Sequence, residues 1–67
     1  MYEFFEGRLA AKKPSHVVID CGGVGYRLSI SLTTYAALPA EGQRARVFAY
    51  LKVAEDDLSL FGFATEA

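Results

Sequence analysis

Apolar residues recur at every second position of this chain, in short segments separated by glycine, proline and acidic residues. Alternation with a period of two turns one face of a β-strand toward a core and the other toward solvent. Clear alternation covers residues 4–11, 24–30 and 44–53, and β-branched or apolar runs cover residues 16–21 and 58–63. The pattern therefore predicts five strands.

Gly22 and Gly23 separate the second and third predicted strands. Glycine readily adopts the positive φ angles that the central residues of a primed hairpin turn require. With Val24 and Gly25 the run superficially resembles a phosphate-binding loop, but no helix follows whose N-terminus could receive a phosphate. The sequence therefore predicts a tight β-hairpin at these glycines.

Only the segment from Thr33 to Leu38 has helical character; Thr33 is its predicted N-cap, and Pro39 with Gly42 ends it within two turns. Five short strands hide their edges when they close into a small barrel. We therefore predict an all-β fold, a small five-stranded OB-fold-like barrel with one short helix between strands 3 and 4. The pattern alone leaves an SH3-like barrel or a sandwich open.

The charge balance restricts how this chain could bind nucleic acid. Seven basic residues face eight acidic ones, for a net charge of −1. A domain that holds nucleic acid by itself usually carries a basic excess, because phosphate neutralisation supplies most of the non-specific affinity. DNA binding would therefore need additional basic segments, or a concentration of the few basic residues on one face.

Cysteine usage and the N-terminal segment predict a cytoplasmic protein. Cys21 is the single cysteine, so no internal disulfide forms, which favours a reducing compartment. The apolar run nearest the N-terminus is interrupted by Glu3, Glu6 and Arg8, so we expect no signal peptide, no transmembrane helix and no membrane partner.

No residue pattern indicates catalysis. His16 is the only histidine, and no serine or cysteine has the sequence setting of an activated nucleophile. No pair of metal-ligand motifs is present either. We therefore predict no enzyme, no metal and no cofactor, with His16 as a surface residue and Cys21 as a small buried one.

An excess of aromatic residues falls on the predicted outward face. One interpretation is a stacking platform for single-stranded bases; others are a protein interface or partial membership of the core. The acidic net charge argues against the platform, so we favour interface and core. These residues are Tyr2, Phe4, Phe48, Tyr50, Phe61 and Phe63.

Two motifs in register resemble a known family. Residues 18–26, VIDCGGVGY, resemble the V-I-[DE]-x-x-G-[VI]-G-[YF] hairpin of the amino-terminal domains of RuvA-type Holliday-junction-binding subunits. Residues 53–63, VAEDDLSLFGF, resemble that family's V-R-E-D-x-x-x-L-[YF]-G-F ending, and Gly7 fits its start. Ala54 departs from the pattern, because the family usually has arginine there. The resemblance spans nearly the whole chain.

The resemblance implies a function in DNA recombination and repair within the SOS response. It implies an OB-fold domain over residues 1–64 and, over residues 65–67, the start of a linker to an absent helix-hairpin-helix domain. Members form homotetramers that hold four-way junction DNA for branch migration. The complete protein would recruit the RuvB ATPase motor and the RuvC resolvase. The domain itself would be non-catalytic.

The resemblance also assigns site residues. Glu55 and Asp56 match the family's acidic pin, which by itself would be only a solvated turn with Asp57. The glycines Gly22, Gly23 and Gly25 match its hairpin. An unrelated OB-fold that binds single strands, or a pure protein-interaction domain, stays open as an alternative. The possible phosphate contacts are Lys12, Lys13, Arg27, Arg44, Arg46 and Lys52.

Overall fold

The chain folds into a closed β-barrel. A computed structural model describes residues 2–55 and 57–64. They form β1 (Tyr2–Lys12), β2 (His16–Cys21), β3 (Val24–Ser29), α1 (Leu32–Ala37), β4 (Arg44–Ala54) and β5 (Asp57–Phe63). The strands neighbour one another in the order β1-β2-β3-β5-β4, and β4 pairs with β1 to close the barrel. The predicted OB-fold-like all-β barrel, with its helix between the third and fourth strands, is confirmed.

The core is built from the inward positions that the alternation predicts. Leu9, Ile19, Leu28 and Val47, one from each of the first four strands, are completely buried. Leu38 closes the core at the end of the barrel near α1. The inner parts of β1, β3 and β4 therefore bury the face that their alternation indicates.

β1 joins two halves of the barrel. Its first part pairs with β4, from Tyr2 opposite Tyr50 to Arg8 opposite Arg44. Its second part pairs with β2, with a register shift between Leu9 and Ala11. Strands that curve around a small barrel pass from one neighbour to the next in this way, and bulges allow the bend.

Gly7 lies where β1 leaves β4 for β2. A Cβ atom at this position would collide with the backbone carbonyl of Asp20 on β2. The close approach of the two backbones therefore requires glycine at this position.

The hairpin between β2 and β3 has the predicted geometry. Gly22 and Gly23 have φ angles of 65° and 94°, and the Gly23 N–H donates a 2.8 Å hydrogen bond to Asp20 Oδ1. Gly25 lies within β3, and a Cβ atom added to it would lie 3.3 Å from Val18 Cγ1. Gly22 and Gly23 therefore form the hairpin turn. A strand rather than a helix follows it, unlike a phosphate-binding loop.

The helix prediction is wrong at its N-cap. Ser31, not Thr33, caps α1, since its hydroxyl accepts the Thr34 N–H at 3.2 Å. The capping residue must have extended φ and ψ and precede the N–H it receives by two or three positions; Ser31 meets both conditions. The C-terminal end agrees with the prediction, because the helix ends at Ala37 before Pro39.

The strands continue past the buried core at the end that carries the β2–β3 and β4–β5 turns. On β4, Val47 and Ala49 are buried, but Leu51 and Val53 on the same face are 50% and 72% exposed. On β3, Tyr26 is likewise exposed. The predicted burial of one face along whole strands is therefore wrong in the outer half of β3 and β4.

Candidate functional site

The predicted acidic pin lies on the connection between β4 and β5. Ala54 pairs with Asp57 across the two strands, which leaves Glu55 in a two-residue connection. Glu55 is exposed. Asp56 lies outside the described residues. Asp57, expected in the turn, instead begins β5. Exposed Glu55 therefore lies at the tip of the β-ribbon formed by residues 51–54 of β4 and 57–60 of β5.

Two of the six candidate phosphate contacts are engaged within the chain. Arg46 donates to Glu6 across the β1–β4 ladder at 3.2 Å, and its guanidinium lies 4.5 Å from the centre of the Phe4 ring. The Lys12 ammonium donates to the Leu38 carbonyl at 3.0 Å and lies over the Tyr35 ring. Lys12 therefore fastens the end of α1 to β1, a role that the sequence pattern did not indicate.

The other four candidates have exposed side chains without an ion pair or hydrogen bond in the part of the chain that the structure describes. Lys13 lies in the β1–β2 turn, and Lys52 lies on the ribbon near Glu55. Arg27 lies on the outward side of β3, since its neighbour Leu28 is buried. Arg44 begins β4 opposite Arg8, whose own charge is paired with Asp20 at 3.5 Å.

The four unpaired cations lie on different faces of the barrel. OB-folds bind oligonucleotides on the face of strands 2 and 3, between the β1–β2 and β4–β5 connections. Arg27 lies on that face and Lys13 in the first connection. Arg44 and Lys52 both lie on β4, an even number of residues apart and therefore on the same face of that strand. Arg27 and Lys13 are therefore the basic candidates nearest the face of strands 2 and 3.

The aromatic excess forms a patch on β1, β4 and β5. Phe4 lies opposite Phe48, with ring centroids 6.4 Å apart in an edge-to-face arrangement. Phe48 lies opposite Phe63, and Tyr50 opposite Phe61. None of these five belongs to the buried cluster, so the expectation of partial core membership is wrong for them. The Tyr2 side chain lies outside the described side chains.

The position of the patch weakens the single-strand alternative. The outward residues of β2 and β3 include His16 but no Phe, Tyr or Trp: these strands turn the sequence positions next to buried Val17, Ile19 and Leu28 toward solvent. Stacking on bases needs aromatic rings on the binding face. The aromatic patch therefore fits an interface better than a base-stacking platform, and the interface interpretation stays a prediction.

Sequence comparison decides the family. The model of the RuvA N-terminal domain family matches residues 1–62. The chain belongs to this family. The assignment of Glu55 and Asp56 as an acidic pin stays a prediction; Glu55 itself is exposed in the β4–β5 connection. The candidate site residues are therefore residues of a RuvA N-terminal domain.

Similar proteins from several bacteria share one name, Holliday junction branch migration complex subunit RuvA. The Holliday junction branch migration complex subunit RuvA of Rubrobacter xylanophilus is 49% identical over 65 residues, covering 97% of this chain and 33% of that protein. The subunit of Chlorobium phaeobacteroides strain BS1 is 48% identical over 66 residues, 98% and 33% respectively. That of Geobacter sulfurreducens is 46% identical over 67 residues, 100% and 34%. The chain spans about a third of the length of these relatives.

Among residues 2–55 and 57–64, no group of three or more His, Cys, Asp or Glu side chains is placed to hold a metal ion. Within the same residues, no helix has the length and apolar character needed to cross a membrane.

Proposed function

We propose that this RuvA N-terminal domain is a non-catalytic, four-way-junction-binding and assembly domain. In this proposal residues 1–64 form the domain, and residues 65–67 begin a linker toward helix-hairpin-helix segments. The observation that carries the proposal is the exposed Glu55 carboxylate at the tip of the β4–β5 ribbon, in a chain whose relatives are named as subunits of a Holliday junction branch migration complex.

The acidic tip acts on DNA through repulsion. A homotetramer would bring the Glu55 and Asp56 carboxylates of four copies to the crossover, where phosphates also converge. Two like charges 4 Å apart repel by about 1 kcal/mol in water and about 4 kcal/mol at an effective dielectric constant near 20. Continuous duplex at the centre is therefore disfavoured, while an open junction keeps its phosphates around the tips.

The free cations supply attraction beside the acidic tip. Arg27 and Lys13 lie on and beside the face that OB-folds use for nucleic acid, and Lys52 lies on β4 three residues before Glu55. With a net charge of −1, this domain alone gains little from releasing counterions. Most of the DNA affinity, and recruitment of the RuvB motor and RuvC resolvase, would come from the remaining two thirds of a complete RuvA protein.

We also propose that the protein acts in the cytoplasm.

The test compares two arginines of equal charge on different faces. The chain is joined to the remaining two thirds of the Rubrobacter xylanophilus relative, and junction binding by this chimera is measured over a range of salt concentrations. Arg27→Gln should weaken binding and reduce the slope of log affinity against log salt by about 1. Arg44→Gln, on the β1–β4 ladder, should leave both unchanged. Equal losses for the two variants, or no junction preference in the parent chimera, would refute the proposal.

A further inference from the structure

The β-ribbon that ends at Glu55 carries a single positive charge. Its paired residues, 51–54 of β4 and 57–60 of β5, include one basic residue, Lys52. The family motif has arginine at position 54, and this chain has Ala54 there. Lys52 is therefore the cation that lies nearest to the acidic tip along either strand of the ribbon.

Lys52 lies on the outward face of β4. Val47 and Ala49 on this strand are buried, and side chains alternate between the two faces of a strand, so Lys52 belongs to the opposite face, with Ser59 of β5 as its cross-strand partner. The Lys52 side chain is exposed, and it has no ion pair or hydrogen bond within the described part of the chain. Its ammonium group is therefore accessible to an external partner.

The spacing of Lys52 and Glu55 lets the two charges act on the same DNA molecule without cancelling each other. Three residues of backbone separate them, which corresponds to about 10 Å along an extended chain. The Debye length is also about 10 Å at roughly 0.1 M salt, so the two charges are largely screened from each other. Phosphates recur about every 3.4 Å of helix axis along one DNA strand. The lysine and the glutamate therefore meet different phosphates.

We propose that Lys52 contributes to the preference for four-way junctions by contacting a backbone phosphate beside the crossover. The inference rests on the proposed function, because in that function the Glu55 carboxylate keeps continuous duplex away from the ribbon. The arms of an open junction pass around the tip and bring their phosphates within reach of Lys52, whereas a repelled duplex does not. Lys52 therefore adds affinity for junctions that it does not add for duplex.

Junction and duplex affinities of the chimera, measured over a range of salt concentrations, test this contact. Lys52→Ala should lower junction affinity by about fivefold at roughly 0.15 M salt, because one phosphate contact contributes about that much through counterion release. The slope of log affinity against log salt should fall by about 1 for each Lys52 that contacts a phosphate. Duplex affinity should change less, so the ratio of junction to duplex affinity falls. Lys52→Arg keeps the charge and should retain the ratio.

Two control variants separate the position of the charge from the net charge. Arg44→Ala removes a charge from the same face of β4, eight residues and therefore about 27 Å along the strand from Lys52, and should change neither affinity. Lys52→Ala combined with Leu32→Lys restores the net charge on α1, where the parent leucine is 70% exposed. This distant lysine should not restore junction affinity; full rescue by it would overturn the proposal.

The parent chimera distinguishes failure of this inference from failure of the proposed function. If the parent prefers junctions and Lys52→Ala leaves the ratio of junction to duplex affinity unchanged, the role of Lys52 is refuted and the proposed function stands. A wider ratio in Lys52→Ala would also refute that role, since it would mean that Lys52 neutralises Glu55 instead of contacting DNA. A parent chimera without junction preference would refute the proposed function and this inference together.

Discussion

Replacing Ile19 with alanine tests whether the barrel core determines the stability of this domain. Ile19 lies in the middle of β2, between Leu9 on β1 and Tyr26 on β3, and is completely buried. Truncation of a buried isoleucine to alanine costs about 2–5 kcal/mol, because the surrounding side chains refill the space only in part. A domain of 67 residues has a total free energy of unfolding of about 3–10 kcal/mol. Ile19→Ala should therefore remove a large share of it.

Thermal and urea unfolding followed by circular dichroism measures this loss. A mid-range loss of about 3 kcal/mol lowers the Tm of a domain this size by about 12–24 °C. Ile19→Val, which removes one methyl group, should cost only about 0.5–1.5 kcal/mol. Leu32→Ala is the control, because an exposed residue away from special contacts changes stability by about 0.5 kcal/mol or less. A loss for Ile19→Ala no larger than that for Leu32→Ala would refute the assignment of the core.

Two further substitutions test local features by the urea midpoint at unchanged slope. Gly7→Ala should lower the free energy of unfolding by about 1–3 kcal/mol, since its Cβ meets the Asp20 carbonyl; a neutral effect would contradict the close approach of β1 and β2. Ser31→Ala should cost about 0.5–2 kcal/mol through loss of the N-cap, whereas Thr33→Ala should cost clearly less. A larger loss at Thr33 than at Ser31 would restore Thr33 as the cap.

The strand pattern was predictable because it depends on local properties. Alternation identified β1, β3 and β4 and apolar or β-branched runs identified β2 and β5, each to within two residues, and the Gly22–Gly23 pair located the hairpin by the φ angles that only glycine adopts easily. The number of short strands and the need to cover their edges favoured a closed barrel, but the pattern alone left an SH3-like barrel or a sandwich open. The position of Glu55 at a turn followed from the same reasoning.

Contacts between distant residues were beyond the sequence pattern. Arg46 meets Glu6, and Lys12 meets the Leu38 carbonyl, at separations of 40 and 26 positions. Strand register determines which candidate cations contact other residues of the same chain, and alternation alone does not fix the register. The cap of α1 was missed for a related reason: Ser31 and Thr33 are both good N-cap residues, and only the backbone geometry distinguishes them.

The extent of the core was also not encoded in the alternation. Leu51 and Val53 continue the apolar face of β4 but are 50% and 72% exposed. Alternation in a strand's sequence identifies its apolar face, but it does not indicate how far along the strand that face is buried.

The most direct test of the central claim is the ratio of junction to duplex affinity after the acidic tip is neutralised. The double variant Glu55→Gln and Asp56→Asn is compared, in the same chimera, with Glu41→Gln. Glu41 lies outside the tip and accepts the Lys12 backbone N–H at 2.8 Å, a bond that the glutamine oxygen can keep.

Relief of about 1 kcal/mol of repulsion should tighten duplex binding by about fivefold at low salt, where screening is weakest. The preference for junctions should narrow accordingly, and Glu41→Gln should change neither affinity. Unchanged duplex affinity in the double variant would contradict the account.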